Sequence, residues 1–151
     1  MRILFKLTSR ERPKKFLTTL KSIVDNLTPG SDHLLIITLD SDDSTLPEYI
    51  EGFKALDEEK KLPEAIIRQS GSDSKVFAIN RDMPDNMEWD ILVNVSDDQI
   101  FTKSGFDQDI VKGFVEAHRG SIFASNIEPK GLKFTINIPV ETSYINNLKN
   151  E

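Results

Sequence analysis

Short apolar runs alternating with longer amphipathic segments are the feature that most constrains this chain of 151 residues. Leu34–Leu39 is apolar apart from Thr38, and residues 89–95 are mostly apolar, which predicts two strands buried on both faces. Residues 3–7 predict a further strand at the start of the chain. Runs of this length are too short for membrane spans and suit the interior of a parallel sheet.

Helices are predicted between the strands, because apolar residues recur there at helical spacing. Their ranges are residues 13–27, 47–61, 75–83 and 106–118, with a short strand at 65–68. The alternation predicts an α/β fold with three α/β/α layers, a mostly parallel sheet and helices on both faces. Residues 121–125 and 132–140 then predict a β-hairpin, followed by a polar tail at 142–151. We expect residues 1–151 to form a single domain.

Composition limits the classes of function. Hydrophobic residues at 38% and charged residues at 29% are typical of a soluble globular protein. The absence of cysteine excludes disulfides and thiolate metal sites. A net charge of −6 argues against a nucleic acid partner. The sequence shows no signal peptide and no apolar run as long as a membrane span, so we expect a cytoplasmic protein.

Acidic side chains follow two predicted strands at the point where each strand ends. Asp97 and Asp98 come directly after the strand at residues 89–95, and residues 40–43 contain three aspartates after Leu34–Leu39. Ligands of open α/β sheets bind at the carboxyl ends of the strands. Two carboxylates there predict a Mg²⁺ or Mn²⁺ site, although a polar turn explains the same residues equally well. Residues 1–24 contain seven Lys or Arg and one acid, which suits a phosphate-bearing ligand bridged by a metal.

Residues 1–110 resemble the nucleotide-binding half of a GT-A fold glycosyltransferase of the family 2 kind. The segments that resemble it are residues 8–13, 36–45, 75–81 and 90–98, the last being similar to a DxD element. The resemblance implies contacts with a nucleotide from Thr8, Arg10, Asp40, Asp42, Lys75 and Asn80. It also implies that Asp97 and Asp98 hold Mn²⁺ or Mg²⁺ on the diphosphate.

The expected partner is therefore a nucleotide sugar, and the expected reaction is transfer of its sugar. Arg10, Arg12 and Lys75 are candidates for additional positive charge, or else solvated surface residues. No catalytic base is assigned, so the catalytic residues stay unknown. Two alternatives remain open: a non-catalytic remnant that keeps the GT-A-like fold, and an interaction module.

A second resemblance covers residues 110–139, which look like the closing helix and hairpin of a sensor histidine kinase ATP-binding domain. The asparagine box and glycine-rich boxes of those kinases have no counterpart here, so we expect packing elements without kinase activity. His118 is expected to be a surface or packing residue of this helix. An exposed edge of the hairpin would allow a homodimer to form through strand pairing.

Overall fold

The computed structural model describes residues 1–60, 62–71, 74–83, 86–117, 121–126 and 132–137. The chain divides into two compact units, Met1–Asp107 and Gln108–Glu151, and the boundary lies near residue 110, where the resemblance to a glycosyltransferase ends. The elements in chain order are β1 (Ile3–Ser9), α1 (Pro13–Asn26), β2 (Leu34–Leu39), α2 (Leu46–Lys60), β3 (Glu64–Gln69), α3 (Lys75–Asn80), β4 (Ile91–Ser96), α4 (Phe106–Ala117), β5 (Ser121–Asn126) and β6 (Leu132–Asn137).

The first unit is built on a four-stranded parallel sheet with the order β3-β2-β1-β4. The chain moves outward from β1 through β2 to β3 and then returns to place β4 on the other side of β1. Right-handed crossovers put α1 and α2 on one face of such a sheet and α3 on the opposite face. The helix contacts fit this arrangement, because α1 packs on α2 while α3 contacts β1 and β2. The predicted α/β fold with a mostly parallel sheet is confirmed.

Each face of the sheet has its own apolar core. Every residue of β1 and β2 is buried, and in-register neighbours on parallel strands point to the same face. On one face, Leu4, Leu34 and Ile36 pack against Met83 and Met87. On the other, α1 and α2 meet through the Phe16 and Tyr49 rings, whose centroids lie 5.2 Å apart. Burial on both faces explains why most residues of these two strands are apolar, and the polar exceptions, Lys6, Thr8, Ser9 and Thr38, are buried as well.

Two predictions about the later elements are wrong. We predicted that β4 is buried on both faces, but Leu92 is 40% exposed and Asn94 is also exposed. The reason is that β4 is an outer strand of the four-stranded sheet and pairs there only with β1. Helix α3 ends at Asn80, three residues before the predicted end, because the following turn places Asp82 at φ 62°. A helix cannot continue through that left-handed conformation.

The second unit contains the described part of α4 from Gln108 onward and the antiparallel pair β5-β6. The register pairs Ser121 with Asn137 and Asn126 with Leu132, which confirms the predicted hairpin. The predictions for residues 138–140, His118 and the tail at 142–151 fall outside the described residues. No helix in the described ranges has the length and apolar character needed to cross a membrane.

Candidate functional site

The strand order creates one position where neighbouring crossovers run in opposite directions, between β1 and β4. Open α/β sheets bind ligands in the crevice at such a switch point, outside the carboxyl ends of the strands. Ser9 ends β1, and Asp97 directly follows β4. The Ser9 hydroxyl donates a hydrogen bond of 2.6 Å to Oδ2 of Asp97, so the two strand ends are joined at the switch point.

A chain of hydrogen bonds reaches Asp97 from helix α2. The backbone N–H of Arg12 donates to the Tyr49 hydroxyl oxygen at 2.9 Å, and that hydroxyl lies 2.8 Å from Oγ of Ser9. Because Ser9 uses its own proton on Asp97, Tyr49 must be the donor to Ser9. Burial raises the pKa of the Tyr49 phenol, opposed in part by the bonds to Ser9 and Arg12, so the hydroxyl keeps its proton. Three donors thus point in sequence toward one carboxylate.

The second oxygen of Asp97 is in a different situation. The side chain is 1% exposed. Among the residues that the structure describes, Oδ1 accepts no hydrogen bond, although Nη2 of Arg12 forms an ion pair with it at 3.0 Å. Asp97 also lines a groove of about 340 Å³ beside α1. Thr19, whose buried hydroxyl has no hydrogen-bond partner within the described ranges, lines the same groove. The other lining residues are Lys14, Lys15, Thr18, Asp98 and Ile100.

A second cluster surrounds the acid that follows β2. Nη1 of Arg10 donates to Oδ2 of Asp40 at 3.1 Å, and both terminal nitrogens of Arg10 bond to Asp42 at 3.0 and 3.1 Å. The hydrogen bond to Asp42, followed by that to Asp40, raises the pKa of the Arg10 guanidinium. On the other side, Nη2 of Arg81 donates to Oδ1 of Asp40 at 3.5 Å and to the carbonyl of Ser70 at 2.6 Å. Both oxygens of the buried Asp40 therefore face a guanidinium group.

The loop after β1 is tied to the loop after β2 through Asp43. Its Oδ2 accepts the backbone N–H of Glu11 at 2.7 Å, and its Oδ1 accepts the backbone N–H and hydroxyl of Thr45. Burial raises the pKa of Asp43, but the hydrogen bonds from Glu11 and Thr45 outweigh it, so the pKa lies below its usual value. Glu11 adopts φ 56°, a strained conformation for this residue type that the bond to Asp43 holds in place. The two loops therefore form one ordered rim.

The predicted nucleotide contacts are distributed unevenly around this rim. Arg10, Asp40 and Asp42 come together as described, whereas Thr8 is buried inside the sheet, in register with Thr38 and Ser96. The amide of Asn80 donates to the carbonyl of Val76 within α3. The side chain of Lys75 falls outside the described residues.

The predicted metal ligands lie together at the end of β4. Asp97 is buried, and Asp98 is exposed and lines the groove beside it. Among the residues that the structure describes, no group of three or more His, Cys, Asp or Glu is placed to hold a metal ion. Mg²⁺ is nevertheless often bound by one or two carboxylates, with substrate phosphates completing its coordination. The two aspartates therefore fit a cation that shares its ligands with a substrate.

Ser9, Arg81 and Tyr49 belong to the site but were not predicted as site residues. Ser9 and Arg81 lie inside segments that the resemblance identified, at residues 8–13 and 75–81. The nucleotide contacts in these segments were assigned instead to the neighbouring residues Thr8, Arg10 and Asn80. Tyr49 lies within the predicted helix at residues 47–61, and its ring packs against Phe16 of α1. The sequence offers no signal for its hydroxyl, because that contact depends on how α2 packs on the sheet.

The four-stranded parallel sheet with flanking helices is a glycosyltransferase-like α/β fold. The structure of S. aureus TarS 1-349, a glycosyltransferase, matches 88% of this chain and 38% of its own, with a TM-score of 0.58 at 12% identity. TarS 1-349 in complex with UDP and with UDP-GlcNAc gives TM-scores of 0.53 and 0.51, each at 12% identity and over 88% of this chain. These two matches cover 38% and 37% of the TarS chains.

This chain thus spans less than two-fifths of the TarS structures that it resembles. No family description and no curated protein matches the sequence. None of the comparisons supports the resemblance of residues 110–139 to a sensor histidine kinase.

Proposed function

We propose that this chain binds a nucleotide-diphosphate sugar, with UDP as the nucleotide, at the carboxyl edge of β1, β2 and β4. The observation that supports the proposal most is the buried bond between Ser9 and Asp97 at the switch point, beside a groove of about 340 Å³. The likeness of the fold to TarS, which has been crystallised with UDP and UDP-GlcNAc, supports the choice of ligand.

The two clusters suit different parts of such a ligand. Arg10, Asp40 and Asp42 present hydrogen-bonding groups after β1 and β2, where we assign the nucleoside. Lys14 and Lys15 belong to the first turn of α1 and line the groove, where we assign the diphosphate. Positive side chains and the N-terminal end of a helix both favour an anion.

We further propose that Asp97 and Asp98 hold Mn²⁺ or Mg²⁺ together with the diphosphate. Oδ1 of Asp97 is buried and, among the described residues, its partner is the Arg12 guanidinium, so a cation would replace that guanidinium at this oxygen. Arg12, whose side chain is 43% exposed, has room to move from its ion pair with Asp97 toward a bound phosphate. When bound, the cation would neutralise the charge that develops on a departing diphosphate.

Titration calorimetry tests this proposal with UDP as the probe, in the presence and absence of Mn²⁺. We expect UDP to bind the wild type more tightly with Mn²⁺ than without it. Asp97→Asn combined with Asp98→Asn should abolish this metal-dependent increase in affinity. Asp32→Asn is the matched control, because Asp32 is 83% exposed and precedes β2, at the opposite edge of the sheet. Metal-dependent binding that persists in the double variant would overturn the assignment of Asp97 and Asp98.

A second experiment separates transfer from binding alone. The wild type is incubated with UDP-GlcNAc and Mn²⁺, with water as the acceptor of the sugar, and the release of UDP is followed over time. Release that disappears in the Asp97 and Asp98 double variant supports a glycosyltransferase. Binding of UDP without release from UDP-GlcNAc supports the alternative, a non-catalytic relative that keeps the fold.

A further inference from the structure

Lys6 is a buried charge that the proposed site does not use. It lies in the middle of β1, one of the two central strands, and is 1% exposed. A buried lysine costs free energy of desolvation, because burial removes the ammonium group from water. Lysine is almost never fully buried unless it is paired, so its partners indicate what it does.

The ammonium group of Lys6 joins strand β2 to the turn after α3. Nζ donates to the hydroxyl oxygen of Thr38 at 2.5 Å and to the carbonyl of Arg81 at 2.8 Å. The Thr38 hydroxyl in turn donates to Oδ2 of Asp82 at 2.8 Å. Lys6 and Thr38 thus hold two consecutive residues of the turn, one through its backbone and one through its side chain.

This turn needs to be held. Asp82 adopts φ 62°, a conformation that costs free energy in a residue other than glycine. The same turn fixes the side chain of Arg81, which donates to the carbonyls of Leu39 and Ser70 and to Asp40. The position of the guanidinium beside Asp40 therefore depends on the backbone that Lys6 binds.

We propose that Lys6 is a positioning residue that fixes the Arg81–Asp82 turn and thereby orients Asp40 for the nucleotide. The inference rests on the proposed function for its effect on binding, but not for its effect on Arg81. Lys6 does not reach the ligand in this proposal. It acts through Arg81, whose Nη2 approaches the oxygen of Asp40 that Arg10 does not contact.

The proposal has a consequence for the dependence of binding on pH. Burial lowers the pKa of Lys6 to about 8; among the charged groups that face it, Asp82 raises the pKa and Arg81 lowers it. Above that pH the amine is neutral, and its hydrogen bonds lose the strength that the charge gives them. The turn is then held less firmly, so we expect the affinity for UDP to fall as the pH rises through about 8.

The test compares wild type with Lys6→Met, which keeps the length of the side chain but removes the charge and the donors. UDP binding is measured by calorimetry from about pH 7 to about pH 9, across the pH range in which Lys6 would titrate. We expect Lys6→Met to weaken UDP binding about tenfold at the lower pH, the effect of losing one charge-assisted hydrogen bond. Arg81→Ala should cause a similar loss, and the double variant should lose no more than Arg81→Ala alone.

Lys54→Met is the matched control, because Lys54 is exposed on α2. It should bind UDP like the wild type and keep the same pH profile. If Lys6→Met does not fold, Thr38→Val takes its place, because it removes both bonds of the Thr38 hydroxyl while keeping a β-branched side chain in the strand.

A readout that needs no ligand separates this proposal from the proposed function. The Nε–H signal of Arg81 is followed by NMR, and its exchange with water is compared between wild type and Lys6→Met. Faster exchange in the variant supports the role of Lys6, even if the wild type shows no UDP binding and the proposed function fails. Unchanged exchange, or a Lys6→Met variant that binds UDP as the wild type does, would overturn the inference.

Discussion

Tyr49→Phe is the most informative single change, because it removes one oxygen atom from the hydrogen-bond chain that holds Asp97. The hydroxyl accepts from the backbone of Arg12 and donates to Ser9, which donates to Asp97. The phenylalanine ring keeps the packing on Phe16, so the cost isolates the hydrogen bonds. The Arg12 N–H is left without a partner, and Ser9 loses its donor.

The structure sets the size of the effect. Leaving a buried polar group unpaired costs about 1–3 kcal/mol. The Tyr49 residue is 1% exposed and Ser9 is 8% exposed, so water does not readily replace the lost bonds. We therefore expect Tyr49→Phe to lower the free energy of unfolding by about 2 kcal/mol. Ser9→Ala should cost at least as much, because it removes the donor to a buried carboxylate.

Urea unfolding of the two single variants and of the double variant measures the coupling between the hydroxyls. Groups that share a hydrogen-bond network show interaction energies of about 0.5–3 kcal/mol. We expect the double variant to lose about 1 kcal/mol less than the sum of the single losses. Additive losses, or a Tyr49→Phe variant as stable as the wild type, would refute the directional chain from Arg12 to Asp97.

Three further predictions concern stability. Burial lowers the pKa of Lys6 from 10.5 to about 8, so between these pH values the unfolded chain binds more protons than the folded chain. The free energy of unfolding of the wild type, measured with urea, should therefore rise by up to about 3 kcal/mol relative to that of Lys6→Met as the pH increases through this range. Burial raises the pKa of Asp107, but the hydrogen bonds from His33 and Thr28 lower it more. Asp107→Asn should therefore lower the free energy of unfolding by about 2 kcal/mol at neutral pH, and by less at a pH below the usual aspartate pKa. An equal loss at neutral and at acidic pH would contradict this prediction. Gly113→Ala should stabilise α4 by about 0.5–1 kcal/mol, because a Cβ there meets no atom of the described residues within 4 Å. Gly52→Ala should be less favourable, because its Cβ would overlap the Leu17 side chain. Equal shifts of the two melting temperatures would contradict the close packing of α1 on α2.

Local signals in the sequence were sufficient to predict most elements of the first unit. The strand Leu34–Leu39 has the predicted bounds, because its apolar residues, interrupted by Thr38, pack in the centre of the sheet. The prediction of burial for β4 was wrong, because a similar run in β4 occupies an outer strand, where Leu92 and Asn94 are exposed. The end of α3 was predicted too late, because the sequence around Asp82 contains no signal for its positive φ.

The candidate site was predictable only in part, for a related reason. The acids after β2 and β4 follow strand ends, which periodicity locates, so Asp40 and Asp97 were found. Lys6 could not be recognised, because a single charge in an apolar run does not reveal a partner in a turn far along the chain. The hydroxyls of Ser9 and Tyr49 depend in the same way on contacts between distant elements.

The strand order decides whether these residues form a site at all. Neighbouring strands lie about 4.8 Å apart, so Asp97 reaches Ser9 because β4 pairs directly with β1. Had β4 been added beyond β3, the same motif would lie three strand spacings from β1, about 14 Å away, and no hydrogen bond could form. The chemistry at Asp97 is therefore a property of the topology: the return crossover through α3 brings the carboxylate to the end of β1, where Ser9 and the start of α1 meet it.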